Sequence, residues 1–547
     1  MKTAQLAPDR PPAKASARSS SKLLPYFLTA WNLPVLDYLP VRALVAIFIL
    51  GMCFIRAYVG LSGMRVYTHD AFSLLDGAWR ILNGQTPHID FYTGLGPVTY
   101  LIIAAGVVMA AGNAAGLAYG QALFGCLAGL WAYRLADRRM RGLATIAMST
   151  IVVLTAIVPT TIGDASTWIT PGMSYNRFGY ALVALLMIEA SAACRPERQG
   201  DQAWGGASTG LVLGLLLFLK ISYFLGAGFL LLALVPLKKQ TRERWYGMGA
   251  AFGITLLAFA WYLQFDLAVV YHDLSTVAHA KHVTLGEYVV KDILVSAIPF
   301  LFFAQLVSQS GASRRERNAI RIAGLAVCLA GIFLLLTSWQ FFGLPLNCVM
   351  AILLVDRVVP KSAGSLPARA PRFLALLFGC FFAFTYIVSE ASGLNYAWGQ
   401  KLRPAAYTSF TTPRLAGFNT PVERDYFEYV NEGYGLLNLH RQARDTVASL
   451  DFTNPFSFGL GMKPPSGGAT WLQYGTNFDD AGPSPERVFG DASLVMLPKL
   501  FSDKTLADSI PRLYGPFLKQ HYALEAESLN WSLYRRRDGK ASAAANR

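Results

Sequence analysis

Apolar runs long enough to cross a lipid bilayer recur through the first 390 residues, and no other feature of this chain restricts its fold so strongly. A helix needs about 20 apolar residues to span the hydrocarbon core. Such runs lie at 42–60, 114–135, 142–160, 176–194, 246–268, 291–308, 319–337 and 372–389, with shorter ones at 97–111, 207–219, 221–236 and 341–356. Only 15% of residues are charged, where a soluble domain carries about 25%. The expected fold class is therefore a mainly α, multi-pass membrane protein.

Charge between the runs sets the topology. Four basic segments, Arg134–Arg141, Pro236–Trp245, Ser313–Arg321 and Asp356–Arg372, belong on the cytoplasmic side. If 97–111 spanned, the first of them would fall outside, so 97–111 is read as a juxtamembrane or re-entrant segment. The stretch 207–236 begins and ends beside cytoplasmic charge, which makes it a pair of short spans or a re-entrant hairpin broken at Lys220–Tyr223. The count becomes about eleven transmembrane helices in an inner or plasma membrane, N-terminus inside and C-terminus outside.

Three regions follow: a basic, disordered cytoplasmic N-terminus at 1–40, a membrane domain at 41–390 and an exported α/β domain at 391–547. The net charge of +15 is explained by these orientation signals, so no nucleic-acid partner is expected. Membrane lipids are the expected surroundings. The six cysteines sit in or beside apolar runs without metal-ligand spacing and read as packing residues. In the C-terminal region, helices are expected at Glu423–Leu439 and Leu506–His521. Strands are expected at Thr446–Phe452, Ser493–Leu497, Tyr522–Glu527 and Asn530–Arg535. Asn454–Trp471 reads as a long surface loop facing membrane or substrate.

The first outer loop, 61–113, is where carboxylates gather beside the hydrocarbon. Asp70 follows the first span closely. It reads equally as a general base with a raised pKa or as an acidic residue at a helix N-terminus. Ala71, Leu74, Leu75, Ala78, Trp79 and Leu82 form an apolar stripe, the pattern of an interfacial helix, with Asp76 on its solvated face. Asp90 and Tyr92 precede the turn Gly94–Pro97, which aims them into a cavity or simply enters a helix. Lys220 interrupts an apolar stretch, where lysine is costly and points to function unless it snorkels to the interface. Arg177 stands at the outer start of a span, against the charge bias, and is a second phosphate candidate. His279, Lys281 and His282 share the loop 269–290. His279 and His282 have the spacing of a metal pair but no third ligand. Cations for an anionic lipid are the functional reading of that loop, and a solvated loop is the alternative.

These motifs resemble the GT-C class of integral membrane glycosyltransferases, in the group that holds protein O-mannosyltransferases and aminoarabinose lipid A transferases. The resemblance rests on THD at 68–70, LLDGAWRILNGQTP, DFYTGLGP and the apolar break FLKISYF. It implies a polyprenyl-phosphate-linked sugar donor used on the outer face. Asp70 would deprotonate the acceptor hydroxyl, beside His69 at the substrate. Lys220, Arg177 and Lys281 or His282 would stabilise the departing phosphate. No metal and no cofactor is expected. The chain departs from the class in two places. It has His69-Asp70 where many relatives have two adjacent acids, and Gly-Leu-Gly-Pro where many have Lys-Pro-Pro. A lipid transporter or flippase, or a non-catalytic scaffold, are the competing classes. A transporter would want an internal repeat and several polar spans, neither of which the sequence displays.

Overall fold

A computed structural model describes residues 39–191, 200–235, 240–281, 286–309, 313–338, 340, 343–358, 366–403 and 407–537. The expectation for the basic N-terminus falls outside them, apart from the last two residues of 1–40. Helices dominate, and a small sheet stands at the C-terminal end.

Among the described residues, length and composition single out four helices able to cross a membrane, within Pro40–Val59, Val289–Ser308, Arg314–Thr337 and Phe373–Leu402. A fifth joins them if the bent pair Arg242–Tyr262 and Leu267–Ala280 counts as one. Pro97–Met109, Gly142–Ile157 and Ile221–Leu234 are shorter apolar helices. Leu44, Phe54, Ile254, Leu257, Phe381 and Phe384 all expose more than half of their surface. So much exposed apolar area marks a surface made for lipid, and the chain is an integral membrane protein.

Glycines set how the helices meet. Helix Pro97–Met109 turns at 110–115 and returns as Gly116–Arg139. A β-carbon on Gly106 would lie 2.0 Å from the Gly116 carbonyl, and one on Gly120 2.5 Å from that of Ile102. The two helices are therefore antiparallel and in backbone contact. Thirteen residues at 1.5 Å rise reach about 20 Å, short of the roughly 30 Å core.

Helix Asp201–Leu217 packs along Arg242–Tyr262 in the same manner. Gly206 faces Arg244, Gly210 faces Met248 and Gly214 faces Thr255. The matched order means that these two helices run parallel. The chain between them must go out and come back, so Ile221–Leu234 is the return limb and Lys220 lies at the turn. At the opposite end, Glu189 accepts from Arg139 Nε at 2.9 Å and from Arg244 Nη1 at 2.5 Å, tying three helix ends together.

The last membrane helix, Leu366–Leu402, is 37 residues long. At about 55 Å it outreaches the bilayer, and it runs past the boundary expected at 390. Beyond it, strands β1 (Thr408–Ser409) and β2 (Asn419–Thr420) pair antiparallel. A second sheet has the order β3-β4-β6-β5. Its strands are β3 (Val447–Ser449), β4 (Leu494–Pro498), β5 (Tyr522–Glu527) and β6 (Trp531–Arg536), parallel only between β3 and β4. Helix Arg424–His440 lies close to its expected place. The helix expected at Leu506–His521 is two, Leu506–Leu513 and Gly515–His521.

Candidate active site

The helix Thr68–Leu82 begins after Tyr67, whose backbone is left-handed at φ 53°. Its first amide is capped from far along the chain: Thr68 N–H donates to Glu423 Oε2 at 3.2 Å, and the Thr68 hydroxyl donates to the same oxygen. A carboxylate at this end also suits the helix dipole. With Glu423 in that role, the Asp70 carboxylate makes no capping bond. Its neighbour is His69 Nε2 at 3.4 Å. Behind it, a β-carbon at Gly172 would come within 2.7 Å of Asp70 Cβ, so only glycine admits the acid here. Burial pushes the Asp70 carboxyl up; nearby His69 pulls it down, and the Glu423 charge raises it further. The His69 ring is walled by Phe452, Tyr426 and Tyr67, at centroid distances of 4.6, 6.0 and 6.3 Å.

Tyr175 links this acid to a cationic side. Its phenol is within electrostatic reach of Asp70, and Lys220 Nζ sits 5.0 Å from its ring centroid. Lys220 Nζ donates to Ser338 Oγ at 3.0 Å and to Asn176 Oδ1 at 3.4 Å. Lys281 Nζ donates to the Thr337 carbonyl at 2.6 Å and lies within electrostatic reach of Lys220. Among the described residues no carboxylate pairs with either lysine. Burial, and for Lys220 the charge of Lys281, lowers the pKa of both amines, so an anion brought between them would restore their charge.

Several expectations are corrected here. Arg177 is buried, and its guanidinium is committed to Glu390 at 2.7 Å, to the Thr155 and Thr160 carbonyls and to the Thr160 hydroxyl. Four of its five N–H groups are committed in this way, and it braces the protein. Asp76 is not on a solvated face. It is wholly buried and accepts from Arg80 Nε at 2.7 Å. The helix is therefore packed between the membrane helices and the C-terminal region, and does not lie free on the bilayer.

The loop Asn454–Trp471 is no free surface loop either. Arg80 Nη1 donates to the carbonyls of Pro465 and Gly467, at 2.9 and 2.7 Å. Gly467 N–H donates to the Asp90 carbonyl at 2.6 Å, and Tyr92 N–H to that of Gly468 at 2.9 Å. Asp90 and Tyr92 belong to this joint. The Asp90 carboxylate accepts from Thr86 N–H at 2.6 Å, and the buried Tyr92 hydroxyl donates to the Asn477 carbonyl. His279 pairs with Asp479 at 2.8 Å and is largely exposed, while His282 lies outside the described residues. No cluster of three potential metal ligands occurs among the described residues.

Tyr175, Asn176, Gly172, Ser338 and Glu423 complete the site without having been singled out in the sequence. Asn176 adjoins Arg177, but nothing in its spacing reveals a lysine partner 44 positions later. A separate cleft of about 340 Å³ opens beside Glu390, Asp164, Asn347 and Tyr386, and it holds none of the expected site residues.

Taken together, these features describe a polytopic membrane protein whose C-terminal, sheet-bearing region packs over a buried acid, with two lysine amines near Tyr175. Among solved structures, the chain is similar to ArnT from Cupriavidus metallidurans in the apo state, at 12% identity and a TM-score of 0.48, over 89% of this chain and 97% of that one. It is similar to the same protein bound to undecaprenyl phosphate, at 12% and 0.47, over 92% and 98%. It also resembles the arabinofuranosyltransferase AftD from Mycobacteria, at 14% and 0.38, over 90% of this chain and 41% of that one. No family model and no curated protein matches the sequence.

Proposed function

We propose that this protein is a GT-C-like glycosyltransferase that moves a sugar from a polyprenyl-phosphate donor to an envelope acceptor, on the outer face of the plasma membrane. The observation that carries this reading is the placement of Asp70 and the two lysines about Tyr175. A glycosyl transfer needs a base for the incoming hydroxyl and positive charge for the outgoing phosphate, and the two must not neutralise each other. Tyr175 lies near Asp70 and near Lys220.

In the proposed reaction, Asp70 takes the proton of the acceptor hydroxyl as its oxygen attacks the anomeric carbon. The bond from that carbon to the phosphate oxygen breaks, and the electron pair leaves with polyprenyl phosphate. Lys220 and Lys281 stabilise that charge as it forms. His69, fixed by its aromatic walls, holds the Asp70 carboxylate and lines the acceptor side. The sequence resemblance supports the donor class, and a lipid-linked donor suits a protein with long apolar helices.

The test is sugar transfer by the purified full chain from a polyprenyl-phosphate donor. Asp70→Asn should lower turnover by about 10²–10⁴-fold. Lys220→Ala should cost about 10²–10³-fold. Full transfer by Asp70→Asn would remove the base assignment, and failure of the wild type to bind any polyprenyl phosphate would remove the enzyme reading.

A further inference from the structure

The helix Leu267–Ala280 leaves its predecessor at 93°, after a turn in which Gln264 and Phe265 are both left-handed. Phe265 N–H closes the preceding helix on the Ala260 carbonyl at 2.7 Å, a Schellman-type stop. The right-angled helix exposes Tyr271 and Leu267 on one side. Asp273, fully buried, is on the other.

Asp273 is held by two distant parts of the chain. His88 Nδ1 in the first loop lies 3.0 Å from Asp273 Oδ2. Arg487 Nη2 of the C-terminal domain lies 3.1 Å from each carboxylate oxygen and donates to the His88 carbonyl at 2.5 Å. Residues 273, 277 and 281 follow at spacings of four, which keeps one face of a helix in register. Val277 packs on Gly94, where a β-carbon would come within 3.0 Å of Val277 Cγ2. Lys281 ends the series at the Thr337 carbonyl, beside Lys220.

We infer that Asp273 is a positioning residue: through this helix it fixes where the Lys281 ammonium meets the donor phosphate. The inference rests on the proposed donor reading and adds to it a part that never touches the substrate. The His88–Asp273–Arg487 junction makes the reach of Lys281 depend on the first loop and the C-terminal domain being docked together. Freed of that junction, the helix keeps its sequence but loses its anchor, and Lys281 spends less time at the phosphate.

Equilibrium binding of a sugar-free polyprenyl phosphate to the full chain tests this. Lys281→Ala should weaken binding roughly tenfold or more, as expected for a charged hydrogen bond. Asp273→Asn should weaken it by a similar factor, and the double variant should bind no worse than Lys281→Ala alone. Arg487→Gln, which leaves Asp273 and His88 in place, should show the same non-additivity with Lys281→Ala and serves if Asp273→Asn does not fold. Additive losses, or wild-type binding by a folded Asp273→Asn, would overturn the inference while leaving the donor reading intact. Unchanged binding in both Lys281→Ala and Lys220→Ala would instead remove the donor reading, and with it the inference.

Discussion

At the scale of single residues, Asp70 is the group whose environment has the clearest measurable consequence. Burial raises its pKa in the folded protein, so the fold holds that proton to a higher pH than the unfolded chain does. Stability from this group is fully present below the unfolded value of about 4, and it is lost as pH rises through the folded pKa. Asp70→Asn should therefore melt at a higher temperature than wild type at neutral pH while losing transfer, and thermal unfolding followed beside activity checks both. In the wild type the acid limb of the pH–rate profile should lie above the ordinary carboxylate range; a limb at the ordinary value would show that Asp70 does not titrate in the rate. Asp70 and Lys220 could be picked out in the sequence because each is an ionisable group where hydrocarbon is adjacent. Arg177 could not be judged that way, since its partner Glu390 lies 213 positions further on. Asp76 carried a local clue, an arginine four residues later on the same helix face, and that pairing outweighs the apolar stripe.

Among the elements, the contacts that matter most are those that glycine and arginine make possible. Gly210 lets two parallel helices touch, and a β-carbon there would be 2.1 Å from the Met248 carbonyl. Gly210→Leu should force the pair apart and lower the yield of folded protein, seen as loss of the monodisperse peak in size-exclusion chromatography. Arg80, paired with Asp76 on its own helix, joins the first-loop helix to the 454–471 segment through two carbonyls. Removing one partner of a buried ion pair costs about 3–5 kcal/mol. Arg80→Ala should lower the melting temperature and speed proteolytic cutting near Gly467. The helix limbs around Lys220 were legible because a charge interrupts an apolar run. The docking of the 454–471 loop was not, because glycine and proline report a lack of regular structure and say nothing of which carbonyls an arginine will gather.

Across the whole molecule, the expected orientation puts Arg139, Glu189 and Arg244 on one membrane face, and Lys220 at the far turn. Reporter fusions after Arg139 and after Arg315 should both read as cytoplasmic; an exported reporter at either would invert the scheme. Among the described residues four or five helices qualify as spans by length and composition against the eleven expected; several apolar runs fold as helices too short to qualify, such as Pro97–Met109, Gly142–Ile157 and Ile221–Leu234. Most of the C-terminal secondary structure was readable from alternation and turns. Its seat over the first loop was not, since that depends on contacts between residues more than 350 positions apart.

That separation has a consequence for how the protein is made. Glu423 caps the helix that presents Asp70, and it follows Thr68 by 355 residues. At 5–20 residues per second, a ribosome needs on the order of 20–70 s to supply it. Through that interval the nascent chain has its acid but not the group that finishes the helix start, while most of its helices are still being made. On the proposed reading, chemistry on the lipid-linked sugar would thus wait until Glu423 has been made and has reached Thr68, so that a chain cut short before it stays silent instead of consuming donor.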